Sequence, residues 1–266
     1  MSHQPSTTSP TPPPPLPPLS PNGWLRWEVV SSMLPPGHLD VLEMGCGQGG
    51  FGARLAQQHR YVGVEPDATS CAVARTRIEP LGGEIRQGDL AVVGEDEQFD
   101  LVVAFEVIEH IEHDVEALTG WAAHLRPGGW LLLSTPAWQK RFGPADEAVG
   151  HFRRYDPPVL RHRLARAGLV DVELVHFGAP LGYALEAGRN AVHKRRLASA
   201  GSSAQENTAS MAAMAARSEA SGRTMQPGTS WSAQAARFGT LPFRKLQHAF
   251  PRFGPGLVAR GRKPFS

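Results

Sequence analysis

The chain has 266 residues, 41% of them hydrophobic, enough for one sizeable core with an appended element. Its two cysteines, Cys46 and Cys71, sit in no C-x-x-C or Cys/His pattern, which argues against a disulfide framework or a zinc site and for a reducing, cytoplasmic setting. The formal net charge of +2 hides an asymmetry: beyond residue 220 there are eight Lys/Arg and no Asp/Glu, so the body is acidic and the C-terminal segment basic.

Residues 1–21 carry no Lys or Arg and no apolar run, which excludes a signal peptide or membrane span there and predicts a disordered, partly polyproline tail. In "WLRWEVVSSML" the apolar groups at 24, 27, 30 and 34 share one helix face, and Pro35 and Pro36 end that helix. Next come a strand "DVLEM", a glycine loop, a helix "FGARLAQQH", a strand "YVGV", a helix "DATSCAVARTRI" and a strand "GEIRQ". The run "FDLVVAF" reads as a buried parallel strand, 115–125 as a helix, "RPGG" as a turn and "WLLLSTP" as another buried strand. Asp156 and Pro157 predict an N-cap and first turn for "PPVLRHRLARAG", and "VDVELVHF" reads as a strand. This alternation implies a doubly wound α/β sheet with ligands at the carboxyl ends of its strands.

The pattern changes after residue 180. A helical "LGYALEAGRNAVHKRRL", a polar Ala/Ser-rich stretch and a short basic helix "TLPFRKLQHAF", with Phe243, Leu246 and Phe250 on one face, predict a lid-like insertion over 181–253. "GPGLVARGRKP" alternates like an edge strand. The expected organisation is a tail over 1–21, a ligand-binding body over 22–180, the insertion over 181–253 and a last strand over 254–266. The basic segment suits either a lid packed on its own acidic body or contact with an anionic membrane or acidic partner, which would place the protein peripherally at a membrane.

Glycines 45, 47 and 50 satisfy G-x-G-x-x-G, a weak signal because any ligand that nears the backbone at a strand-to-helix turn calls for glycine. Glu43, two residues before Gly45, would repel a pyrophosphate but tolerate an ammonium or sulfonium. With it, "VLEMGCGQGGFG" resembles the first motif of class I S-adenosylmethionine-dependent methyltransferases. "VGVEPD", "RQGDLA", "FDLVVAFEVIEHI" and "LRPGGWLLLSTP" follow in that family's order and spacing, so the resemblance covers residues 41–136. It implies a Rossmann-like, three-layer α/β/α fold with a seven-stranded sheet and an antiparallel last strand. It also implies S-adenosylmethionine as cofactor, with Glu43, Gly45, Cys46, Gly47 and Gly49 around the methionine end and Glu65 and Pro66 at the ribose. Asp89 and Leu90 would then meet the adenine, and Phe105 and Glu106 would end the fourth strand beside the cofactor. Glu65 alone would equally serve the ribose of NAD, the competing reading.

His110 and His151 are the candidate catalytic bases for a hydroxyl acceptor. If the chain turns α-helical after Phe105, Glu106 and His110 share a face with Glu109 beside them, and with His151 these could ligate a divalent metal. The metal-free alternative has His110 acting alone and the carboxylates complementing a helix dipole. "FEVIEHI" with "GHFRRY" resembles the group that includes ubiquinone-type O-methyltransferases and other small-molecule, lipid or glycan methyltransferases. The same E-x-x-E-H resembles metal-dependent methyltransferases of small-RNA 3′ ends, but "GHFRRYD" lacks that family's second histidine and acidic cluster. A non-catalytic cofactor-binding interaction module is the remaining alternative. For Arg153, Arg154 and Tyr155 the plain alternative is two solvent-facing arginines and a packed tyrosine.

Overall fold

Apolar residues in the central strands alternate between two cores, and this sets the architecture. The computed structural model describes residues 15–200 and 230–265. Its sheet contains β1 (Asp40–Met44), β2 (Arg60–Glu65), β3 (Glu84–Gln87), β4 (Phe99–Phe105), β5 (Leu125–Pro136), β6 (Val170–Phe177) and β7 (Gly256–Arg262), in the order β3-β2-β1-β4-β5-β7-β6. Strands β1 to β5 run parallel, while β7 is antiparallel to both β5 and β6. Side chains of Leu42, Val62, Val102, Ala104, Leu131 and Leu133 enter one core, and Val41, Tyr61, Leu101, Val103 and Leu132 enter the other. A strand that must satisfy both faces reads as an unbroken apolar run, which is why these segments were visible in the sequence.

Helices α4 (Asp114–Ala123) and α6 (Pro157–Arg166) bring Leu118, Trp121, Leu160 and Leu164 to the first core. Helices α1 (Pro21–Met33), α2 (Gly52–Ala56) and α3 (Ala68–Ile78) cover the other face through Leu25, Val29, Leu55 and Ile78. The result is the three-layer, seven-stranded fold expected. Ser20 and Asp67 cap α1 and α3 by accepting from the Gly23 and Ser70 N–H groups. Asp156 occupies the N-cap position of α6 without a capping bond and accepts from the Gln139 N–H instead.

Four expectations need correction. The tail ends earlier than residue 21: the Pro17 carbonyl accepts from Arg54, Leu19 is buried and α1 starts at Pro21. "RPGG" is no turn between elements but a bulge inside β5, which shifts register between the Phe99–Leu125 and Leu101–Trp130 pairs. "GLVARGR" is an interior strand with Leu257, Val258 and Ala259 fully buried; its apparent alternation came from Arg260, which reaches outward to Glu173. The basic helix is short, α9 (Leu241–Leu246), and a 3-10 turn at Gln247–Ala249 changes its phase. Phe243 therefore packs on the core while Leu246 and Phe250 are exposed.

The described part of the expected insertion comprises α7 (Leu181–Ala200), α8 (Ser230–Gly239) and α9. Arg244, Lys245 and His248 all approach Glu28 of α1. The Ala/Ser-rich stretch over 201–229 and the first 14 residues lie outside the described residues. Among the described residues no helix is long and apolar enough to cross a membrane. Asp100, in β4, is structural: it accepts from the Asp40 N–H and from Arg126.

Candidate functional site

The loop after β1 is built by backbone bonds to β2. The Gly45 and Cys46 N–H groups both donate to the Val64 carbonyl, at 2.8 and 3.0 Å. Glu65 at the end of β2 then clamps the loop, one carboxylate oxygen accepting from the Gly47 N–H at 2.7 Å and the other from the Asp67 N–H at 2.9 Å. The glycines differ in purpose. A Cβ on Gly45 or Gly49 would strike Val107 at 2.6 Å or Ile78 at 2.7 Å, so both serve packing. Gly47, at φ +54°, has nothing within 4 Å of that position and faces a large cavity.

That cavity has a volume of about 1640 Å³ and runs along the carboxyl ends of the strands. Single small-molecule pockets usually occupy roughly 300–1,000 Å³, so there is room for two ligands. Glu43, Gly45, Cys46 and Gly47 line one end with Glu65 and Pro66; Asp89, Leu90, Phe105 and Glu106 continue the wall. Of the expected cofactor residues only Gly49 lies off this wall. Asp89 is exposed, and one of its oxygens accepts from the Ala91 N–H. Phe51 wedges between Trp27 and Phe105, so packing accounts for it.

Glu43 is 2% exposed, and the Tyr61 hydroxyl donates to it at 2.6 Å. Burial, reinforced by the nearby Glu65 charge and opposed by the Tyr61 bond and Arg26, pushes its carboxyl up to about 8. Glu43 therefore carries a proton at neutral pH when no cation is beside it.

At the other end the chain does not turn α-helical. Glu106 adopts φ +59°, and only a three-residue 3-10 turn, Ile108–His110, follows. Glu106 is thereby aimed at Arg26, 3.0 Å away, and accepts from the Ser134 hydroxyl at 3.0 Å. Burial raises its carboxyl, but Arg26, the Ser134 bond and His151 together hold it below its ordinary value. The expected alignment of Glu106 with His110 is thus not formed. Glu109, His110 and His151 do come together, each offering an atom within 4.8 Å of the others. The two imidazoles meet edge to face with centroids 4.6 Å apart. Glu109 is fully buried and bonded by Thr135, yet its Oε1, like Nδ1 of His110, has no hydrogen-bond partner. Burial and the Glu106 charge push Glu109 up, and burial and His151 push His110 down to about 3.

His151 is held differently. Its Nδ1 lies 2.9 Å from Asp146 Oδ1, in α5 (Pro144–Val149). Burial opposes ionisation of Asp146, but its bonds to His151 and Arg154 prevail and hold the carboxyl below its ordinary value. An ionised Asp146 only accepts, so Nδ1 of His151 donates to it, while Nε2 lies 3.9 Å from Glu109 Oε1. Arg154 grips both Asp146 oxygens and reaches Glu186 of α7 at 2.9 Å, and Arg141 binds the same Glu186 at 2.8 Å. At 4% exposure Arg154 faces no solvent; Tyr155 packs fully buried and donates to Asp114. Asp146, Glu186, Arg141 and Arg26 carry no signal in the sequence, because only the tertiary fold brings Asp146 to His151, Glu186 to Arg154 and Arg141, and Arg26 to Glu106.

A family model described as "Methyltransferase domain" matches residues 19–174. A "Probable S-adenosylmethionine-dependent methyltransferase" of Mycobacterium tuberculosis is 35% identical over 58% of this chain and 58% of its own length. A "Ubiquinone biosynthesis O-methyltransferase" of a Methylobacterium species is 34% identical over 38% of this chain and 42% of its own. The chain thus spans about half the length of these curated relatives. Among solved structures, a methyltransferase of Thermotoga maritima is similar with a TM-score of 0.53 at 18% identity, over 91% of this chain and 89% of that one, a likeness of fold. An acidic strand end, a glycine loop clamped by a second carboxylate and a family match over more than half the sequence agree, and the chain belongs to the methyltransferase domain family.

Proposed function

We propose that this protein transfers the methyl group of S-adenosylmethionine to a hydroxyl of a small-molecule, lipid or glycan acceptor, with His151 as the base. The observation that carries the acceptor chemistry is the His151–Asp146 pair: Asp146 engages Nδ1, which leaves Nε2 as the ring atom available to an acceptor in the cavity that His151 lines. The donor end fits the cofactor by its chemistry: Glu65 places a carboxylate, an acceptor for ribose hydroxyls, on the cavity wall, Gly47 leaves space where a side chain would stand, and Glu43 offers a carboxylate to an ammonium. When bound, S-adenosylmethionine supplies an electrophilic methyl carbon: the acceptor oxygen forms the new C–O bond as the S–C bond breaks, its electron pair staying on sulfur to give S-adenosylhomocysteine. His151 Nε2 takes the hydroxyl proton, and Asp146 stabilises the resulting imidazolium at Nδ1. Holding donor and nucleophile in line supplies most of the acceleration in such a displacement. The relative in a Methylobacterium species, named for O-methylation, supports this choice of atom. The test is transfer of tritiated methyl from S-adenosylmethionine by the purified protein to phenolic, glycan, lipid and RNA acceptors. Transfer only to amines would discard His151 as the required base.

A second reading rests on the orphaned Glu109 Oε1 and His110 Nδ1, which with His151 form a mixed oxygen and nitrogen set suited to a divalent metal. Such an ion would polarise the acceptor hydroxyl. Activity that vanishes in EDTA and returns with Mg²⁺ or Mn²⁺ would establish it; full activity in EDTA, with metal analysis showing an empty site, would leave the metal-free mechanism.

Glu43 yields a further expectation. A cationic ligand beside it favours the carboxylate, so cofactor binding releases up to one proton at pH 7. Affinity should therefore rise with pH until about 8, where Glu43 is already ionised, and level off above it. Calorimetry in buffers of different ionisation enthalpy would read the proton directly, and Glu43→Gln should abolish the buffer dependence.

A further inference from the structure

Helix α7 presents one face to the cavity beyond the histidines: Leu185, Gly188, Arg189, Val192 and His193, spaced i, i+3, i+4, i+7 and i+8. Its position is fixed at the near end, because Glu186 is tied through Arg154 and Asp146 to His151. Two features of this face are unexplained by the fold. Gly188 stands inside a 20-residue helix, where glycine costs roughly 0.5–1 kcal/mol relative to alanine. A Cβ there would meet nothing within 4 Å, so no packing calls for its absence. Arg189 has no hydrogen bond, ion pair or ring contact to any described residue, whereas Arg141 and Arg154 on the same side are both spent on Glu186.

We propose that this face is the acceptor subsite and that it selects a hydroxyl compound with an apolar body and an oxyanion, carboxylate or phosphate, at the end away from the hydroxyl. Gly188 lets the body lie against the helix backbone, with Leu185 and Val192 beside it and Val149 of α5 also on the cavity wall. Val192, 47% exposed without a ligand, gains cover. Arg189 meets the oxyanion with the forked geometry that guanidinium offers to carboxylate and phosphate, and His193 adds a second donor. From Leu185 to Val192 the helix advances roughly 10 Å, the length along which the acceptor's apolar body can lie. The inference rests on the methyl-transfer reading above and names the acceptor class for it.

The test uses the whole chain saturated with S-adenosylhomocysteine and three probes by calorimetry: 10-hydroxydecanoate, 10-hydroxydecyl phosphate and neutral 1,10-decanediol. One or both anions should bind about tenfold or more tighter than the diol, and the stronger one identifies the oxyanion. Arg189→Gln should erase that preference while leaving diol affinity within about twofold. Gly188→Leu, a better helix former, should keep or raise the melting temperature and S-adenosylhomocysteine affinity while weakening all three probes at least about tenfold. Equal affinities for the three probes, no binding of any, or an unchanged preference in Arg189→Gln would overturn the subsite. Each of those results would leave the methyl-transfer reading standing as long as S-adenosylhomocysteine binds. Failure of S-adenosylhomocysteine to bind would overturn both.

Discussion

Methyl transfer by a His151→Ala variant is expected to fall by about 10²- to 10⁴-fold, the usual contribution of a positioned base, with the affinity for S-adenosylmethionine unchanged. Under the proposed mechanism the loss belongs in kcat, because Nε2 takes the proton that leaves in the transition state, whereas the end of the cavity proposed for the donor is lined by Glu43, Gly47 and Glu65. Asp146→Asn gives a sharper version. An amide keeps the volume and one acceptor oxygen but cannot stabilise an imidazolium as a carboxylate does, so its kcat should fall too while KM for the donor holds. Equal activity of wild type and His151→Ala on a hydroxyl acceptor would remove this histidine from the mechanism, metal-bound or not.

The second large effect concerns stability. Arg154→Met should destabilise the fold by about 3 kcal/mol, near the low end of what removing one member of a buried ion pair costs. Arg154 and Asp146 are each almost wholly enclosed, so the variant strands a carboxylate that has lost its bidentate partner. Glu186 keeps Arg141, and this second cation holds the penalty to the low end. Urea denaturation measures it. The combined variant Asp146→Asn, Arg154→Met should recover most of the loss, since Glu186 keeps Arg141 and no enclosed charge is then left unpaired. A single-variant effect below about 1 kcal/mol would mean that water reaches these groups.

How much of this was readable in advance follows the range of the forces involved. Strand–loop–helix alternation and the glycine loop are local: Val41 to Gly50 carry their own periodicity and turn chemistry, and the residues expected at the cofactor, apart from Gly49, line one cavity. His110 and His151 line it too: one follows β4, and the other stands in the segment that leads into α6. The alignment of Glu106 with His110, conditional on an α-helical turn after Phe105, fails because one positive φ turns the Glu106 side chain toward Arg26. Asp146, Arg154 and Glu186 gave no joint signal: they come from three elements, and a charged residue that will be enclosed looks in sequence like one that will be solvated. Gly256–Arg262 is the antiparallel last strand as expected, and only its edge character fails, since a strand inside a sheet but near its end shows charges where it leaves the core.

The interior placement of β7 bears on how the molecule assembles. Strand β5, with the run Leu131–Leu133, pairs with β4 on one side, but its other edge is completed only by Gly256–Arg262, after all of α7 to α9 has been made. During synthesis or refolding that edge is an open hydrogen-bonding template flanked by leucines, and the late long-range closure is slow. Crowded nascent chains are therefore vulnerable at β5, where a second copy can dock in place of β7. Overexpression at low temperature, or supply of a peptide spanning 254–266 during refolding, should raise the yield of soluble protein more than changes anywhere in the parallel half of the sheet.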